Sequence, residues 1–215
     1  MKAMRETVVF TGALLLAWAA AASRTASGVE EPTFRVGLAD GDLEIRQYAP
    51  VIVAEIVVDG EWRAAGNAGF RRLANYIFGG NDGGRTIAMT APVSQSRPGT
   101  RIAMTAPVAQ ERRGANWVVA FTMPSEYSLD RLPVPDDPAI RLRPVGERRV
   151  GAIRFSGSWD AERFDAKAAE LRRWLASKGE TTIGEPVAAR YNPPWTPWFL
   201  RRNEILFELA PRLPG

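Results

Sequence analysis

The sequence predicts an α+β fold: a distorted antiparallel β-sheet or barrel with two helices, built from two similar ββαββ halves. Three observations carry this. Short β-branched stretches with partial alternation recur along the chain, two stretches switch to a helical period, and the order strand, strand, helix, strand, strand is written twice. At 215 residues, 46% hydrophobic and 24% charged, the chain can bury one sizeable core and does not require a second.

The N-terminus reads as an address. The basic opening MKAMRE precedes the apolar run TVVFTGALLLAWAAAA, and Ala20 and Ala22 are the small residues a signal peptidase needs before Ser23. That run is shorter than the roughly 20 residues that span a bilayer, so residues 1–22 are expected to be a cleaved signal peptide. The mature protein is then periplasmic or secreted, without a permanent membrane span. Residues 23–33 read as a polar, disordered linker, residues 34–210 as the globular domain and residues 211–215 as a tail.

Within the domain, DLEIRQYAP and VIVAEIVVDG are two strands separated by a proline. From Trp62 the period changes: Phe70, Leu73, Ala74 and Ile77 fall on one helical face, and GGND ends the run. IAMTAPV and NWVVAFTMP return to strand composition. The second half repeats the order, with AIRLRPV and RRVGAIRFSG as strands. A helix follows with Phe164, Ala168, Leu171 and Leu175 on one face, capped by Ser158 or Asp160 and ended by Gly179; EPVAARYN and EILFELA complete it. VVDGEW and RFSGSW both lead from strand through glycine and tryptophan into a helix, which supports a duplication. A sheet that closes on itself also removes exposed edges.

Composition excludes much chemistry. With Cys 0 and His 0 there is no disulfide, thiolate nucleophile, Cys/His zinc site or Ser-His-Asp triad. The net charge of +4 comes from arginines spread along the chain without one basic stripe, which argues against nucleic acid as a partner. GGNDGGRT nearly writes a phosphate-binding loop, but that loop needs strand, loop, helix, and here the order is helix, loop, strand. IAMTAPV occurs at Ile87 to Val93 and again at Ile102 to Val108, joined by a segment containing Pro98 and Gly99. The pair is expected to form a β-hairpin, with Ile87, Met89 and Ala91 inward, Thr90 near the other face, and Pro92 and Pro107 at strand ends.

GFRRLANYIFGGN, the tandem IAMTAPV, WVVAFTMPSEY, LPVPDD, RFSG and YNPPWTPWFLRRNEI, in that order, resemble the SOUL haem-binding family over about Phe34 to Leu209. The resemblance implies a haem or porphyrin ligand, an apolar planar tetrapyrrole, in a shallow cleft between the first helix and the late proline-rich loop. Carried over by position, Asn67, Phe70, Ala74 and Asn75 form one wall, and Tyr191, Pro193, Pro194, Trp195, Pro197 and Trp198 the other. Arg71, Arg201 and Arg202 are the cations for the propionates. The haem-binding branch has basic residues where Asn67 and Asn75 stand here. Axial histidine ligation, proposed for some members, is impossible in this chain, so the ring would be held by packing and propionate contacts.

Each feature also has a structural explanation: the tryptophans can pack back on the sheet, Phe70 and Ala74 can belong to the core, and Arg201 and Arg202 can pair with Glu204. Met89 and Met104 read as packing. Three functions follow: an exported tetrapyrrole-binding protein, a module of the same fold binding another apolar small molecule or a peptide, and an enzyme. For the last, no nucleophile or acid/base constellation stands out.

Overall fold

A computed structural model describes residues 29–96, 116–158, 160–192 and 195–211. Nine strands and two α-helices follow in the order β1 (Phe34–Asp40), β2 (Leu43–Tyr48), β3 (Val51–Asp59), α1 (Trp62–Ile77), β4 (Val93–Ser96), β5 (Asn116–Thr122), β6 (Arg141–Val145), β7 (Arg148–Phe155), α2 (Ala161–Ser177), β8 (Thr182–Arg190) and β9 (Asn203–Leu209). A short 3-10 turn, η1 (Trp198–Leu200), precedes β9. The two expected ββαββ halves are β2 to β5 with α1 and β6 to β9 with α2. β1 is an additional strand that the pattern reading passed over.

The sheet order is β1-β2-β7-β9-β8-β4-β5-β3-β6, with antiparallel pairing throughout. Leaving β1 aside, this order is symmetric about the β8/β4 seam, and each half lends its first strand to the other: β2 pairs with β7 and β6 with β3. Gly60 (φ 115°) and Gly157 (φ 116°) adopt the same left-handed conformation at equivalent points of the two echoes, as a residue without Cβ readily does. Among the described residues the sheet does not close. β1 and β6 are its edges, so the barrel alternative gives way to an open, bent sheet.

Both helices lie on one face. α1 packs Leu73, Tyr76 and Ile77 with Ile56, Val119 and Phe121, while α2 packs Phe164, Leu171 and Leu175 with Ile153, Ile205 and Phe207. The starts of the helices meet where the Trp62 ring lies 4.9 Å from Phe164. Asp160 is the N-cap of α2, accepting from Arg163 N at 2.8 Å, and Gly179 (φ 72°) follows its end. α1 sits close because two glycines face the sheet. A Cβ at residue 66 would lie 2.6 Å from Gln95 Oε1, and one at residue 69 would lie 2.6 Å from Val119 Cγ2.

The expected hairpin fails in its first arm, and Ile102 to Val108 lie outside the described residues. Only Val93 of the first IAMTAPV belongs to a strand. Thr90 is buried, its hydroxyl donating to Thr122 O, and Ala91 N donates to Glu30 O at 2.9 Å. Residues 87–92 are therefore pinned as a connection leading into β4. Ile87 and Ala91 are buried as expected, and Met89 packs against the α1 core.

Candidate functional site

Alternation along the strands decides what faces the helices and what faces the reverse of the sheet. On β9, Ile205 and Phe207 join the helix-side core, whereas Leu206 joins a reverse-side cluster with Tyr48, Val150, Ala152 and Ala189. Continuing the alternation toward the chain's N-terminus separates two neighbours: Arg201, in extended backbone, reaches the helix side with Asn203, and Arg202 the reverse with Glu204.

The helix-side group forms a cleft of about 180 Å³ lined by Gly66, Asn67, Phe70, Val93, Gln95, Val119, Arg190, Asn192, Arg201 and Asn203. It lies over the β8/β4 seam, where the halves meet. Phe70 is at the edge of the buried helix face; its ring makes an edge-on contact with Phe121 at 5.4 Å while also lining the cleft. Gln95 donates to Trp62 O at 2.7 Å and accepts from Arg190 Nη2 at 3.3 Å. Burial, with Arg63 and Arg201 nearby, pulls the Arg190 guanidinium down to about 10. It stays charged at neutral pH, so an incoming carboxylate would relieve a crowd of like charges.

Of the residues the resemblance points to, Asn67, Phe70 and Arg201 meet in this cleft. Arg71 and Asn75 are exposed and Ala74 is half-buried; none of the three lines it. Asn75 instead packs on the chain after α1, its carbonyl accepting from Gly80 N at 2.8 Å. Trp195 and Trp198 are 82% and 62% exposed and do not pack back on the sheet; Pro197 is exposed as well. Pro193 and Pro194 lie outside the described residues.

Tyr191 and Arg202 belong to a buried polar network on the reverse face. Glu204 accepts from Arg46 Nη1 at 2.6 Å, Arg202 Nη2 at 3.0 Å and the Tyr191 hydroxyl at 2.8 Å. Burial acts to raise the Glu204 carboxyl, but these donors outweigh it and hold it below the usual range. Arg202 also bonds Glu31 at 3.0 Å and stacks on the Tyr191 ring at 3.8 Å. Through Glu31 and the bond from Ala91 N to Glu30 O, the lead-in is tied to the body from Glu30 onward. The pairing of Arg202 with Glu204 matches its structural explanation, and Arg201 serves the cleft.

Arg190 and Gln95 are the polar pair among the cleft residues that sequence reasoning missed, along with Gly66, Val93, Val119, Asn192 and Asn203. Arg190 ends a β-branched and alanine-rich strand and Gln95 lies in a four-residue one. The available signal was parity, since Arg190 is one residue from Tyr191 and must face the opposite side.

A larger hollow of about 410 Å³ lies elsewhere, lined by residues including Pro32, Pro50, Ile52, Met123, Tyr127 and Pro144, with Glu30 and Glu31. Its lining holds no Lys or Arg and none of the residues named by the resemblance. A dicarboxylate ligand therefore fits the smaller cleft better. No group of three or more metal-ligating His, Cys, Asp or Glu occurs among the described residues.

A family model described as SOUL heme-binding protein matches residues 29–208. The chain belongs to the SOUL haem-binding family. Among curated relatives it is similar to heme-binding protein 2 of Homo sapiens, 28% identical over 200 residues that cover 86% of this chain and 92% of that one. It is also similar to heme-binding protein 1 of Bos taurus, 28% identical and covering 74% of this chain and 76% of that one. Among solved structures, a hydrolase from Listeria innocua superposes with a TM-score of 0.52 at 9% identity, covering 81% of this chain and 94% of that one. That likeness speaks for the fold alone. In this SOUL chain the halves are joined at the seam that carries the cleft.

Proposed function

We propose that this SOUL protein binds a tetrapyrrole, haem or its metal-free porphyrin, at the α1 cleft, as a carrier or scavenger rather than a catalyst. The observation that carries the reading is the pairing of an apolar wall, Phe70 and Val119, with the guanidiniums of Arg190 and Arg201 in one cleft. A porphyrin presents the same pairing, a flat apolar ring with two carboxylates at one edge. At about 180 Å³ the cleft is smaller than the roughly 300 Å³ or more that encloses a drug-sized ligand. It therefore takes the carboxylate edge, while the ring lies along Phe70, and the exposed Trp195 and Trp198 of the loop that leads into Arg201 supply further contact.

The residues suit a ring held without an axial protein ligand of the usual kind. The chain has no His or Cys, and Met89 and Met123 belong to the α1 core. When bound, haem would supply its own redox and ligand-binding iron; the protein's part is packing and charge. The N-terminal run, read as a signal peptide cleaved near Ala22, supports a role in the periplasm or outside the cell.

The test is a titration of untagged protein from Ser23 with hemin and with protoporphyrin, following the Soret band and tryptophan fluorescence together. A histidine tag must be absent, since it would provide the ligand this chain lacks. Saturable binding of both is expected, weakened about tenfold or more in Arg190→Gln, the range of a charge-assisted hydrogen bond. Absence of saturable binding to either would overturn the reading. It would favour a second one, an uncharged apolar ligand in the 410 Å³ hollow, whose size and lack of lining cations suit it.

A further inference from the structure

The loop before β9 exposes four large apolar side chains within six residues: Trp195 (82%), Trp198 (62%), Phe199 (58%) and Leu200 (64%). Scattered exposed apolar residues need no explanation, but a contiguous set of two indoles, a phenyl and an isobutyl group marks an interaction surface. The tetrapyrrole reading uses the indoles and leaves Phe199 and Leu200 without a role.

Two further features narrow the partner. The first is that several of the loop's peptide groups are paired: Leu200 N donates to Pro197 O at 2.9 Å, Arg201 N to Trp198 O at 3.3 Å, and Gly157 N also donates to Trp198 O at 3.0 Å. Each peptide group already paired lowers the desolvation cost of entering a region of low polarity. The second is the charge around it. Arg201 follows the loop directly, its Nε donating to Thr196 O at 2.7 Å. Arg163 lies against Gly157, the residue that holds Trp198 O, and donates to Ser156 O at 3.4 Å. Asp160, the nearby carboxylate, is engaged in capping α2. Tryptophan, phenylalanine and leucine beside arginines are the composition that seats a surface element in the headgroup region of an anionic bilayer.

We propose that the Trp195 to Leu200 loop docks the protein on anionic lipid surfaces, with Trp198, Phe199 and Leu200 entering the interface and Arg163 and Arg201 meeting lipid phosphates. This goes beyond the tetrapyrrole reading and does not depend on it, because Phe199, Leu200 and Arg163 lie outside the cleft, although Trp198 and Arg201 serve both readings.

The experiment is vesicle flotation of the chain from Ser23 to Gly215, which holds every described strand and helix. One set of vesicles is phosphatidylcholine with phosphatidylglycerol, the other phosphatidylcholine alone. The wild type floats with the anionic vesicles and less with the neutral ones. Phe199→Ser with Leu200→Ser lowers the partition coefficient about tenfold or more, while porphyrin titration of that variant stays as in wild type. Arg163→Gln lowers partition about fivefold on anionic vesicles only. Equal partition of wild type and the Phe199/Leu200 variant overturns the proposal. So does a wild type that ignores both vesicles but self-associates in sedimentation through the same residues, which would make the loop a protein interface. A failed porphyrin titration leaves the vesicle result standing.

Discussion

Replacing Glu204 by glutamine removes one charge from the centre of the reverse-face network while keeping the side chain's shape. Glu204 is fully buried, and its two arginine partners, Arg46 and Arg202, are 3% and 17% exposed. It accepts from Arg46 at 2.6 and 3.2 Å, from Arg202 at 3.1 and 3.0 Å, and from Tyr191 at 2.8 Å. In Glu204→Gln the arginines keep one carboxylate each: the part-exposed Glu44 for Arg46 and Glu31 for Arg202. Breaking a buried pair by removing one partner costs about 3–5 kcal/mol, because the remaining charges stay out of water. Urea unfolding followed by tryptophan fluorescence should show that loss as a lower midpoint at unchanged slope. Arg72→Gln is the internal control. Its bidentate pair with Asp137 is well formed at 2.6 and 2.7 Å but exposed, so its loss should cost about 1 kcal/mol or less. A Glu204→Gln change no larger than that of Arg72→Gln would refute the view that the network is a buried unit holding the stem of the Trp195 to Leu200 loop.

The same network sets an acid limit. The Glu204 carboxyl is held below its ordinary value of 4.5, so its stabilisation is complete above that pH and is lost as the pH falls through the lower folded value. The stability gap between wild type and Glu204→Gln should therefore narrow on acidification below about pH 4.5, and a gap that widens would contradict the assignment. Gly69→Ala puts a Cβ 2.6 Å from Val119 Cγ2 and should destabilise by about 1–3 kcal/mol in the same urea assay. Trp195→Ala with Trp198→Ala, both exposed, should leave the urea midpoint within about 0.5 kcal/mol of wild type while porphyrin affinity falls. A large stability loss would instead make the indoles structural.

The two helices were legible because each carries a face whose apolar spacing survives in the fold: Phe164, Ala168, Leu171 and Leu175 are all buried. The duplication was legible in the glycine and tryptophan echoes. β1 was passed over although Phe34, Val36 and Leu38 alternate along it: it is a short edge strand, mostly exposed, with Gly37 at its centre. The first IAMTAPV misled because its β-like composition is used to pin a connection, through Thr90 and Ala91, to Thr122 and Glu30. At the site, Phe70, Asn67 and Arg201 could be named by resemblance. Arg190 and the diversion of Tyr191 and Arg202 to the reverse face required strand parity, which a proline-rich connection hides until β8 and β9 are paired.

The central claim is that the carboxylate edge of a porphyrin meets Arg190. The measurement that tests it most directly compares protoporphyrin with its dimethyl ester on wild type and on Arg190→Gln, by tryptophan quenching. The free acid should bind wild type about tenfold or more tighter than the ester, and the difference should shrink in Arg190→Gln. Equal affinity of wild type for acid and ester would contradict it.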